Sequence, residues 1–171
     1  MKVVSNSGPL MALAKVGQIH LLHSLYEETS LPSAVYEEAV VDGLARGESD
    51  AITIQMAITR QQLRVVKVDE QNLSQTVLAL PIDRGERHAI TLAIMENADC
   101  VLLDDMMARN AAQKLNLKVK GTLGVLVEAF RKGVLSESEV DAVFDALLKR
   151  DDIWIADALI HKIWGQLKKG G

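Results

Sequence analysis

The stretch GERHAITLAIMENADCVLLDDMMAR, Gly85–Arg109, decides the fold. It reads as a helix, a short turn, an apolar strand and a second helix. Glu86 opens the first helix, and Asp104 and Asp105 stand where the strand ends. In a parallel α/β sheet the covering helices run antiparallel to the strands. The start of a helix therefore lies over the same sheet edge as the end of the strand that follows it. Acids far apart in sequence thus converge at the edge where open α/β sheets bind ligands. Convergent carboxylates at that edge suit a hard divalent cation.

Strands and helices alternate on both sides of this stretch. Lys2–Ser5 (KVVS) is a short buried strand ended by Asn6-Ser7-Gly8-Pro9. Pro9 suits the first turn of a helix, with Asn6 or Ser7 as its cap. Helical segments follow at Leu10–Val16 and Ile19–Tyr26, then a strand at Glu28–Leu31 and a helix at Ser33–Val41. Gly43–Glu48 reads as a polar turn, Ser49–Thr59 as a helix and Arg64–Val68 as a strand. Glu70–Leu80 is weakly helical, and Pro81–Gly85 is a loop. After the central stretch come a helix at Ala108–Leu115, a strand at Lys118–Lys120, and a helix Leu123–Lys132 capped by Thr122 and closed by Gly133. Ser136–Arg150 and Ala156–Lys168 are amphipathic helices, the first with a capping-box spacing at Ser136 and Glu139. The fold class is α/β, with helices on a central parallel sheet. One domain is expected over 1–171, an α/β core at 1–133 carrying a helical extension at 134–171.

With 171 residues there is material for one sizeable core. The chain is 49% hydrophobic and only 4% aromatic, which favours aliphatic helices packed on a buried sheet over a β-sandwich. A formal net charge of −4 excludes a global basic field for nucleic acid. Nucleic-acid binding would need a local basic patch or bridging metal ions. Cys100 is the only cysteine, so no intramolecular disulfide forms. No signal peptide and no membrane-length apolar run is read, so a cytoplasmic protein is expected.

The same edge argument gathers Asn6, Glu38, Glu86, Asp104 and Asp105. Several carboxylates about one pocket cannot all stay ionised without a compensating cation. Mg²⁺ or Mn²⁺ fits, held by a few carboxylates and waters. Each acid also has a plainer role: Glu86 suits the helix macrodipole, and Asp104 or Asp105 suits a cap. Glu37 and Glu38 point about 100° apart on a helix, so at least one faces solvent. His88 is placed at the pocket rim, and Arg84, Arg87 and Arg109 stand near the acids in sequence. His20 and His23 lack a neighbouring acid or thiol and read as surface or packing residues. There is no P-loop, G-x-G-x-x-G or G-x-S-x-G.

These residues also carry a family resemblance. VVSNSGPLMALAKVG, LPSAVYEEAV, GERHAITLA and VLLDDMMAR resemble, in order and spacing, the motifs of PIN-domain proteins, which include the toxins of VapC-like toxin–antitoxin pairs. GTLGVLVEAF and IWIADALIHKIW are similar to the C-terminal segments of a little-characterised prokaryotic branch of that family. The resemblance implies a three-layer α/β/α fold and a metal-dependent ribonuclease. It places the metal on Glu38, Glu86 and Asp105, with Asp104 beside them and Ser7 hydrogen-bonding in the first loop. From their positions near the acids, and not from the resemblance, Arg109 and His88 are expected toward substrate. It also implies a small antitoxin partner and a homodimer, for which the stripes on Ile19–Tyr26 or Ala156–Lys168 offer apolar surface. Typical members end the first strand in Asp, where this chain has Asn6. An amide brings a carbonyl oxygen but no charge, so a catalytically impaired RNA- or antitoxin-binding module is the alternative. A phosphatase reading lacks a nucleophilic Asp at the end of strand one.

Overall fold

A computed structural model describes residues 1–169. β1 (Lys2–Ser5) leads into α1 (Ser7–Lys15) and α2 (His20–Leu25). β2 (Glu28–Pro32) leads into a continuous helical run of α3 (Ser33–Tyr36), a π-helical stretch Glu37–Asp42 and α4 (Gly43–Ala45), followed by α5 (Ser49–Thr59). β3 (Arg64–Val66), a 3₁₀ turn Glu70–Asn72 and α6 (Gln75–Leu78) precede α7 (Arg84–Met95) and β4 (Cys100–Leu102). α8 (Met106–Lys114), β5 (Val119–Lys120), α9 (Thr122–Arg131), α10 (Glu137–Leu148) and α11 (Asp157–Lys169) complete the chain.

The strands form one parallel sheet in the order β3–β2–β1–β4–β5. Strand side chains alternate between faces, and both faces are covered, as parallel sheets require. Val3, Leu31, Cys100 and Leu102 enter one core with α1, α2, α5, α9 and α10, while Val4, Val101 and Leu103 enter another with α7 and α8. The result is a three-layer α/β/α fold. From β1 the chain steps outward to β2 and β3, then returns to the other side of β1 with β4. The switch point of the sheet therefore lies between the C-terminal ends of β1 and β4. Asn6 closes that junction, its N–H donating to the Leu102 carbonyl at 3.1 Å.

Several local features differ from the pattern read in the sequence. The helix after β2 does not stop at Val41 but passes through the π turn into Gly43. That glycine is no turn residue: a Cβ on it would lie 2.7 Å from the Ala51 Cβ, so α4 and α5 touch there. α7 begins at Arg84 rather than after a loop ending at Gly85, because Asp83 and Glu86 form a capping box. Thr122 is the first residue of α9 and does not cap it; Gly121 holds the cap position. The capping box of Ser136 and Glu139 is present.

The two stripes offered for dimerisation turn inward. Leu21 and Leu22 of α2 and Ile160 of α11 are buried, and Ile163, Trp164 and Leu167 pack on the same core. His20 and His23 are exposed. Among the described residues no helix is long and apolar enough to cross a membrane.

Candidate functional site

Asn6 follows the last residue of β1 in extended conformation (φ −80°, ψ 171°) and stands at the N-cap of α1. An asparagine there ordinarily accepts a backbone N–H of the first turn, yet its side chain makes no capping bond. The residue is 6% exposed, and its Oδ1 is buried without a hydrogen-bond partner. A buried carbonyl oxygen left unpaired is costly, and such groups in native folds mark a missing donor, water or ion.

The direction of that oxygen follows from Gly85. A Cβ on Gly85 would lie 3.1 Å from Asn6 Oδ1, 3.2 Å from Glu38 Oε2 and 3.4 Å from Asp83 Oδ1. Three oxygens, from Asn6, Glu38 and Asp83, thus face the place a Cβ would take on one glycine in the first turn of α7. Glu38 reaches this point from the π-helical stretch, and such turns are frequent at functional sites.

Glu86, the next residue, is 6% exposed. It accepts the Asp83 N–H through Oε2 at 3.0 Å, while its own N–H donates to Asp83 Oδ1 at 2.7 Å. Burial, reinforced by the negative charges of Asp83, Asp105 and Glu38, pushes its carboxyl up to about 7 despite the opposing backbone hydrogen bond. Glu38 is also raised, first by desolvation and then by Asp83 and Asp42, against a hydrogen bond from Ser7 and the charge of Arg46. Burial leads both shifts, and the neighbouring acids add to it.

Other expected residues sit differently. Asp105 caps α8, accepting the Ala108 N–H through Oδ1 at 2.9 Å, and remains exposed with its charge felt by Glu86. Asp104 was expected beside the metal acids, as a fourth ligand or one step behind them. Each of its oxygens accepts a bond from Thr122, Oδ1 from the backbone N–H at 2.7 Å and Oδ2 from the hydroxyl at 2.6 Å. Burial raises its carboxyl, while these bonds and Arg109 oppose the rise. Arg109 donates to the Leu103 carbonyl at 3.0 Å and so braces the end of β4. His88 is not at the rim: it is 1% exposed, with Nε2 3.0 Å from Glu70 Oε1.

The sequence reading missed Asp83, although the Asp83-x-x-Glu86 spacing is a capping-box signature. It also missed the far wall of the cleft. A cavity of about 220 Å³ lies between Ser7, Glu38 and Asp104 on one side and Asp152–Ile155 on the other. Glu38 separates it from a hollow of about 150 Å³ beside Arg84 and Gly85. No periodicity marks 152–155, so nothing short of the folded chain brings this segment to the acids.

Acids stand near the switch point of an open parallel α/β sheet, the place where such sheets bind ligands. The family model described as a PIN domain matches residues 2–169, and the chain belongs to the PIN-domain family. No curated protein matches it significantly. PIN nucleases generally use divalent metals. Among the described residues no group of three or more His, Cys, Asp and Glu side chains is placed to hold a metal ion. The donors present nonetheless fit a hydrated hard cation. They are oxygen only, the Asn6 Oδ1 lacks any other partner, and Mg²⁺ is commonly held by one or two carboxylates with waters completing its shell.

Proposed function

We propose that the protein is a Mg²⁺- or Mn²⁺-dependent endoribonuclease of PIN type. The observation that carries this reading is the buried, unpaired Asn6 Oδ1, which with Glu38 Oε2 faces the side of Gly85, next to a Glu86 carboxyl raised to about 7. Asn6, Glu38, Glu86 and Asp105 would hold the ion directly or through water. When bound, such an ion polarises a phosphoryl oxygen and lowers the pKa of bound water. Glu86 holds a proton near neutrality in the empty site and releases it as positive charge enters. The Ser7 hydroxyl steadies Glu38. Asp104, through Thr122, fixes the end of β4 to the start of α9, so that Asp105 is held in place. Asp104, Arg109 and His88 are thereby assigned supporting roles in the scaffold.

The test is cleavage of single-stranded RNA by the purified chain with Mn²⁺. Asp105→Ala and Glu38→Gln should each abolish it, as should EDTA. Cleavage that persists through chelation and both substitutions rejects the assignment.

The motif resemblance further supports a role as the toxin of a toxin–antitoxin pair, a small antitoxin being the partner. A homodimer rests on that resemblance alone, since the apolar residues of both stripes pack largely against the core. Asn6 favours a second reading, a PIN-like module that binds RNA or an antitoxin without cutting. Asn6→Asp separates the two. A large gain in Mn²⁺ affinity and cleavage would show that the native site is impaired, whereas an unchanged rate supports the active enzyme.

A further inference from the structure

The wall of the cleft opposite the acids is a short segment between α10 and α11, held from below by charge. Arg150 grips the Asp152 carboxylate with two bonds, at 2.8 and 2.7 Å. Lys15, at the end of α1, donates to the Asp152 carbonyl at 2.9 Å and pairs with its carboxylate at 3.2 Å. These partners hold the Asp152 carboxyl well below the ordinary range. Ile153 and Ile155 lean back onto the main core. The Ile155 N–H donates to the Ile153 carbonyl at 3.0 Å, closing a three-residue turn with Trp154 at its apex.

Trp154 is 96% exposed. The chain has only two tryptophans, and the other is treated in the ordinary way. Trp164 donates its indole N–H to Asp141 at 2.5 Å and lies 5.9 Å from the Phe144 ring. Indole is among the most unfavourable surfaces to leave in water. Here it stands on a turn anchored on both sides by half-buried isoleucines and beneath by two ion pairs. It does so on the rim of the cavity that Ser7, Glu38 and Asp104 line.

We propose that Trp154 is a stacking platform for one nucleobase of a single-stranded nucleic acid whose backbone lies at the acidic edge. This rests on the acidic edge being where the substrate is bound. An exposed indole on an anchored turn offers a flat face to any base, so recognition is tolerant of sequence. Bases in a duplex are already stacked on their neighbours and cannot use it without being unstacked, so the platform selects single strands. Holding the base also fixes which phosphate reaches Glu38 and Asp105. Trp154 is therefore a positioning residue and takes no part in the chemistry.

The test uses the full chain and a labelled oligoadenylate, alone and in a duplex of equal length, with Ca²⁺ present. Trp154→Ala should weaken single-strand binding by roughly 5- to 100-fold. Trp154→Phe should keep most of the affinity, and duplex binding should be equally weak in all three proteins. The single strand should quench wild-type indole emission, and the quench should vanish in Trp154→Phe, where Trp164 alone reports. With Mn²⁺ and RNA, Trp154→Ala should raise KM and leave kcat near wild type. Unchanged affinity and KM in Trp154→Ala would overturn the platform while leaving the nuclease reading intact. So would an altered oligomeric state with unchanged RNA affinity, which would assign the indole to a protein contact. Trp154-dependent single-strand binding by a wild-type chain that never cuts would support the platform and defeat the nuclease.

Discussion

Glu86→Gln in the metal-free protein isolates the electrostatic condition of the site. Glutamine keeps the size of the side chain and can still serve the capping box with Asp83, but it carries no charge. In the folded wild type the Glu86 carboxyl lies at about 7 instead of 4.5. The native state therefore binds a proton that the unfolded chain releases. Stability from this group is fully present below pH 4.5 and is lost as pH rises through about 7. At about 1.4 kcal/mol per pH unit the full loss is roughly 3 kcal/mol. Water reaching the pocket screens part of it, so about 1–3 kcal/mol is expected. For a chain of this size each kcal/mol moves Tm by roughly 2–4 °C. Urea and thermal unfolding in EDTA, from pH 4 to 8, should therefore show wild type and Glu86→Gln nearly equal at pH 4. The variant should be the more stable by about 1–3 kcal/mol at pH 8. Excess Mn²⁺ should reverse the order at pH 8, stabilising wild type more than the variant. Parallel stability–pH curves for the two proteins, with or without metal, would refute the picture of an acidic edge whose buried Glu86 holds a proton near neutrality.

Gly85→Ala places a methyl group 3.1 Å from Asn6 Oδ1 and 3.2 Å from Glu38 Oε2. Calorimetry should show weakened Mn²⁺ binding even though alanine is the better helix former by up to about 1 kcal/mol. Thr122→Val removes the hydroxyl bonded to Asp104. It should cost about 1–3 kcal/mol in urea unfolding, because a carboxylate oxygen loses its donor. Phe144→Ala opens the core beneath α10, where the ring is fully buried. A loss of about 3–5 kcal/mol is expected. A value under 1 kcal/mol would mean that the C-terminal helices are not integral to the domain.

The alternation of buried strands and capped helices made the sheet and its acidic edge legible before folding. Asn6, Glu38 and Glu86 are brought to that edge by the direction of the chain alone. The failures have physical causes. His88 is two residues from Glu86, hence about 200° around the same helix, and one pocket does not take both. Asp104 faces Thr122 because α9 starts beside the end of β4, a contact between elements that local pattern does not encode. The π turn carrying Glu38 breaks the 3.6-residue period on which helix ends are judged. Gly43 has the composition of a turn but is a crossing point against Ala51. Trp154 sits in an aperiodic segment whose place depends on Lys15, far back in the chain.

The central claim is that the oxygens of Asn6, Glu38, Glu86 and Asp105 form one cation site at the switch point of the sheet. Anomalous diffraction from crystals soaked in Mn²⁺ measures this most directly. The expected result is a peak within coordination distance of Asn6 Oδ1 and a Glu38 carboxylate oxygen, abolished by Glu38→Gln. Full Mn²⁺ occupancy elsewhere on the molecule, with none at these oxygens, would contradict it.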